Sequence, residues 1–262
     1  SLLLMLGGAL WGLLWLPLRV MEGAGLEGAW PGIVGYLFPA LVTLPVTLLG
    51  WRHVSGSWLS LLGIFVFCGT AFGLYGLAVI MTEVNRAILL FYLTPLWGTL
   101  IGIFFLGEKL TLRRAIALLI GLAGLLIVLD IGIKLPWPRN LGDWMAVVSG
   151  ICWALGSTVM FRAEKVRIAD QLTAFFIGAV VVCLLMMVLF PAQLGAGPTV
   201  AALQASLPMI IILTLGMPIV LVLTIWPAGM LPPGRVGILL MTEVLFGLAS
   251  AILVLGEVLG LR

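Results

Sequence analysis

The sequence predicts an all-α polytopic membrane protein built from two inverted five-helix repeats, with nine of the ten helices inside its 262 residues. Three observations predict it. The chain is 63% hydrophobic and only 9% charged, with a mean hydropathy of +1.30; a soluble domain carries roughly 25% charged residues, so this chain has too little charge for a water-facing surface. Its apolar runs recur at lengths near the roughly 20 residues that cross a bilayer. Finally, Asn85–Arg113 returns, without gaps, as Gly234–Arg262. The two copies share Arg86 with Arg235 and Gly98 with Gly247, and then Leu106-Gly107-Glu108 with Leu255-Gly256-Glu257. Leu110, Leu112 and Arg113 likewise match Leu259, Leu261 and Arg262. Apolar matches are cheap in a membrane chain. An LGE-x-L-x-L-R run paired with an upstream Arg is not, and it indicates an internal duplication.

The spans follow in order. Leu2–Val20 is the first; it is too long and too Trp-rich for a cleaved signal and reads as retained. Ser1 without a preceding Met predicts a few further N-terminal residues. Gly32–Gly50 and Trp58–Ile80 follow. A tight turn through Glu83 and Arg86 leads into the fourth span, Ala87–Leu106. Here a local Glu83–Arg86 ion pair is expected. The fifth span is Ala115–Ile131. The polar linker from Lys134 to Asp143, with Pro136 and Pro138, divides the chain into residues 1–135 (helices 1–5) and 136–262 (helices 6–9). The second half runs through Trp144–Phe161, Leu172–Phe190, Leu207–Trp226 and Val236–Leu255, and a tenth span is expected after Arg262.

Lys and Arg set the orientation. Arg52, Lys109, Arg113, Arg114, Arg162, Lys165, Arg167 and Arg235 fall on the side of the N-terminus. Only Arg19, Arg86, Lys134, Arg139 and Arg262 fall opposite. The N-terminus is therefore expected in the cytoplasm. Five spans per repeat is odd, so the second half enters the membrane upside down. The net charge of +3 contains no basic block, so no nucleic-acid partner is expected. Cys68, Cys152 and Cys183 sit in apolar runs at no metal spacing and read as small buried residues; neither metal nor cofactor is expected.

The two halves also begin alike: Gly8-Ala9-Leu10-Trp11-Gly12 parallels Gly150-Ile151-Cys152-Trp153-Ala154. With Leu93-Thr94-Pro95-Leu96 and the paired LGE turns, the chain resembles the drug/metabolite transporter (DMT) superfamily in its EamA-type ten-helix branch. The phrase FYLTPLWGTL and the Trp- and Tyr-rich centre are similar to the YddG-type amino-acid exporters. The resemblance implies a basket of ten helices, with the third, fourth, eighth and ninth lining a central cavity. It also implies export of aromatic and other neutral amino acids across a bacterial inner membrane. Val244 stands where Pro95 does, so the second half departs from the first there.

Within the spans, Trp97, Tyr75, Trp153, Tyr92 and Trp11 are the candidate aromatic lining. Trp and Tyr at helix ends (Trp30, Trp51, Trp58, Trp137, Trp144, Trp226) are interfacial, but a mid-span N–H or O–H needs a partner and should face a cavity or a helix. Glu243 lies inside the ninth span, where a carboxylate costs about 3 kcal/mol on insertion scales. Its repeat mate is Thr94. Both are candidate substrate contacts, Glu243 for an ammonium group or for proton coupling. Pro95 and Pro218 are candidate hinges, and Gly69, Gly73, Gly76, Gly98 and Gly102 candidate close helix contacts.

The expected function is secondary transport by alternating access, by a monomer in the lipid bilayer with an amino acid as its small-molecule substrate. The alternative is a DMT carrier of a purine, a drug cation or another small metabolite, and behind that a channel. An intramembrane enzyme is not expected: the single histidine, His53, lies at a helix end, and no metal or nucleophile motif appears.

Overall fold

The computed structural model describes residues 1–50, 57–106, 111–112, 115–116, 119–121, 123–124, 137–162, 166–195, 197–228, 239–240 and 242–255. No strand occurs among them, and seven helical segments are long and apolar enough to cross a membrane. The turns at Glu108 and Glu257, Arg235, most of the fifth span and everything expected beyond residue 255 lie outside the described residues.

The first span is not one helix. It divides into α1 (Leu2–Gly12) and α2 (Trp15–Gly23), joined by tight turns in which Leu13 and Leu14 donate to Leu10 and Trp11. Pro17 explains the position. Its ring excludes the carbonyl four residues earlier, that of Leu13, and offers it no N–H. The second span is α3 (Trp30–Leu49). The third runs from α4 (Trp58–Gly63) through a π-helical turn at Ile64–Cys68 into α5 (Gly69–Met81). That turn adds a residue to the repeat where the backbones of Gly69 and Gly178 meet.

The fourth span, expected as one helix over Ala87–Leu106, is broken as well: α6 (Val84–Phe91) and α7 (Thr94–Leu106). The break, at Tyr92 and Leu93, lies just before Pro95, as the first, at Leu13 and Leu14, lies just before Pro17. Four helices follow: α8 (Leu141–Arg162), α9 (Ile168–Leu189), the short α10 (Pro191–Leu194) and α11 (Val200–Ala228). The last is α12 (Thr242–Leu255). Helix α11 continues unbroken through Pro208, Pro218 and Pro227, so the candidate hinge at Pro218 carries no break, unlike Pro95.

Packing crosses between the halves. Helix α3 lies on α9, and α6 lies on α12. Helix α5 packs on α8 as α11 packs on α1. Helices α6 and α7 pack on α8 as α12 packs on α1, and α9 packs on α5 as α3 packs on α11. Small residues permit these approaches. A Cβ on Gly12 would strike the Glu243 carbonyl oxygen, and one on Gly150 would lie 2.7 Å from that of Phe91. Gly69, Gly73 and Gly76 all sit at such contacts, whereas Gly98 faces open space. A continuous core joins Trp11 and Trp15 to Tyr36, Phe72, Tyr75, Phe91, Phe175 and Phe176. Leu49, Leu59, Val188, Leu215 and Leu253 point outward, a lipid-facing surface in a chain of this composition. Trp58, Trp137, Trp144 and Trp226 are exposed near helix ends, as membrane-interface tryptophans are.

Candidate transport site

The breaks and crossings converge on one small cavity, about 80 Å³ in volume. Trp11 enters from α1, Phe72 and Tyr75 from α5, and Phe91, Tyr92, Thr94 and Pro95 from around the α6–α7 break. Trp153 comes from α8, Thr224 from α11, and Leu240 and Glu243 from the ninth span. Six candidates named from the sequence thus meet in one place: Trp11, Tyr75, Tyr92, Thr94, Trp153 and Glu243. Pro95 joins them. Trp97 does not line the cavity; its indole N–H is buried without an acceptor among the described residues.

The aromatic side forms a chain. Phe72 stacks obliquely on Trp11 with ring centres 4.6 Å apart and meets Trp153 edge-on at 5.2 Å. Phe91 contacts Tyr75 at 4.8 Å and Tyr92 at 5.7 Å. These contacts fix the rings at the cavity wall. The indole of Trp11 donates to Thr224 Oγ1 at 3.1 Å, and that hydroxyl donates to the Val220 carbonyl. Trp15, one turn along, donates to Ser250 Oγ. These two mid-span indoles therefore have the partners that hydrocarbon would deny them.

The polar side is built at the helix break. Proline at 95 supplies no N–H for the Phe91 carbonyl, and Thr94 Oγ1 donates to it instead. Tyr92, in the turn itself, crosses to the other half. Its hydroxyl lies 2.8 Å from Glu243 Oε2 and 3.0 Å from the Leu240 carbonyl oxygen. Glu243 is 8% exposed and makes no ion pair among the described residues. The Thr242 hydroxyl, beside it, has the carbonyls of Leu239 and of Met5 on α1 as alternative acceptors. No group of His, Cys, Asp and Glu suited to a metal occurs among the described residues.

Phe72, Phe91, Thr224 and Leu240 were not singled out from the sequence. Phe72 lies one helical turn before Tyr75, a spacing that puts both on one face. Thr224 is a polar residue in a strongly apolar span. Leu240 acts through its backbone, which no side-chain pattern marks. The resemblance implied a lining of the third, fourth, eighth and ninth spans; the first and sixth also contribute, through Trp11 and Trp153.

The expected Glu83–Arg86 pair does not form. Arg86 Nε instead lies 2.6 Å from Asp143 Oδ2, at the start of α8. Glu83 has extended backbone at the N-cap of α6, a geometry that begins the helix, while the fold carries Asp143 to Arg86 from the other half.

Fold and cavity together define a multi-pass helical membrane protein with a partly polar chamber where its spans cross. Residues 1–130 match the EamA-like transporter family. A protein of Archaeoglobus fulgidus described as an uncharacterized transporter is 29% identical over 142 residues, 54% of this chain and 49% of that relative. The chain thus matches about half the length of that curated relative. A solved crystal structure aligns with a TM-score of 0.61 and 20% identity over 97% of this chain and 89% of that one, a likeness of fold alone. The first half of the chain is thus what is similar to the EamA-like transporter family.

Proposed function

We propose that this chain is a secondary transporter that exports aromatic and other neutral amino acids across a bacterial inner membrane by alternating access. The observation that carries the proposal is the cavity itself: one carboxyl group, Glu243, held by Tyr92 within a wall of Trp11, Phe72, Tyr75, Phe91 and Trp153. A carboxylate and aromatic faces both attract an ammonium group, and the rings suit an apolar side chain. Inverted repeats are supported by the reciprocal packing, in which each contact that joins unlike spans of the two halves has a counterpart with the halves exchanged. The excess of Lys and Arg on the N-terminal side supports a cytoplasmic N-terminus.

A second reading has its own observation. Among its described lining residues the cavity offers one acid and no Lys, Arg or His. The carboxylate of an amino acid would find only hydroxyl and indole donors, and would lie near Glu243. An amine without a carboxylate avoids that repulsion, so an organic cation is the alternative cargo. Reconstituted protein should be tested with labelled aromatic amino acids beside their decarboxylated amines, with and without a pH gradient. Amino-acid flux supports the first reading and amine flux alone the second. Flux of neither ends both.

A further inference from the structure

The most completely buried polar cluster lies away from the cavity, toward the end of the spans where α5 turns into α6. Asp143 is its centre, with a side chain 0% exposed, against 11% for Arg86. Four segments supply its partners. Arg86 Nε on α6 donates to Oδ2, and Thr82 Oγ1, in the α5–α6 turn, donates to Oδ1 at 2.9 Å. The Arg139 backbone N–H donates to Oδ2, and the Asp143 N–H donates to Asn140 Oδ1. Asn140 also donates to Thr82 Oγ1, Arg86 reaches the Trp137 carbonyl, and Arg19, on α2, donates to the Thr82 carbonyl at 2.7 Å. The first span, the turn between the third and fourth, the linker and the sixth span are tied into one knot. Its central bond crosses from residues of the first half to residues of the second.

The knot lies about 9 Å beyond the cavity, the rise of the six residues from Tyr92 to Arg86. The space between is filled. Leu77, Ala78, Val79, Val84, Ala87, Ile88, Leu90 and Ala146 are all fully buried. The cavity is thus closed by packed side chains on the Arg86 side.

We propose that Arg86 and Asp143 form a latch that holds this mouth shut and must part when the mouth opens. The geometry suits a two-state joint. Bonded, the carboxylate is satisfied by directed donors; parted, both charges lie at a helix end within reach of water and the interface. An apolar seal alone would have no such second state. A latch serves the transporter reading, but its test needs no cargo, so failure of one is separable from failure of the other.

The test is thiol accessibility of the cavity. Cys68, Cys152 and Cys183 are replaced by Ala and a reporter is introduced as Thr224→Cys. A membrane-impermeant maleimide is then applied to reconstituted vesicles from either face, and the Arg86 face is identified by labelling of an exposed Trp137→Cys control. The parent should label slowly from the Arg86 face. Arg86→Ala and Asp143→Asn should each accelerate labelling from that face at least tenfold, with the rate from the opposite face changed less than twofold. Arg86→Lys, which keeps the charge but loses the planar fork, should fall between. It also serves as the readout if the other variants fail to fold. Unchanged labelling in monodisperse variants overturns the latch. Equal acceleration from both faces also overturns it, since that signals general loosening.

Discussion

The Tyr92 hydroxyl has one proton and two acceptors, Glu243 Oε2 at 2.8 Å and the Leu240 carbonyl at 3.0 Å. With Glu243 ionised, the phenol donates to the carboxylate. With Glu243 protonated, the carboxyl donates to the phenol and the phenol to Leu240. The pair can therefore switch between two arrangements without moving the backbone. Tyr92→Phe removes both and leaves a buried carboxyl without a partner, which costs about 1–3 kcal/mol. A fall in the thermal midpoint of the purified protein, together with slower transport, is the expected outcome. Glu243→Gln preserves size and hydrogen bonding but removes the titrating group. Transport by this variant should lose its pH dependence across the range where the parent shows one, with a smaller stability change than Tyr92→Phe. A pH profile of the variant that overlays the parent's would restrict Glu243 to packing.

At the scale of the element, only some prolines break their spans. Pro17 and Pro95 each follow closely on a break, whereas α3 passes through Pro39 and Pro45, and α11 through Pro208 and Pro218, intact. The difference at Pro95 is the replacement donor: Thr94 Oγ1 satisfies Phe91, so the turn carries no orphaned carbonyl and Tyr92 can leave the helix path. Pro95→Ala restores an N–H that can bond Phe91. The fourth span should then straighten and resist unfolding more strongly, while transport slows because Tyr92 is drawn away from Glu243. Thermal midpoint and initial rate, measured on the same preparation, should move in opposite directions. Glycine 12 sets the facing surface, since a Cβ there would strike the carbonyl of Glu243 and lie 2.7 Å from the Gly247 nitrogen. Both atoms are backbone and cannot swing away. Gly12→Ala should cost about 1–3 kcal/mol, as overpacked sites do, and a thermal scan reads it.

For the whole molecule, what was legible in the sequence is what is local. Runs of apolar residues fix the spans, and polar or aromatic residues within those runs marked Trp11, Tyr75, Tyr92, Thr94, Trp153 and Glu243, which the fold brings to one cavity. Phe72 and Phe91 were not legible because phenylalanine is ordinary in any span. The partner of Arg86 was not legible because it stands 57 positions away, while Glu83 offered a nearer but geometrically unavailable acid. The consequence is thermodynamic as well as conformational. Buried ion pairs add little net stability, yet removing one member strands the other and costs about 3–5 kcal/mol. Arg86→Ala should therefore destabilise the protein by about that amount. Asp143→Asn should cost less, because its amide oxygen can still accept from Thr82 or the Arg139 N–H. The double variant Arg86→Ala with Asp143→Asn should cost clearly less than the sum of the two singles, since no charge is left buried alone. Denaturant titration of the four proteins in the same detergent measures that coupling. Strict additivity would mean that the pair contributes nothing to holding the two halves together.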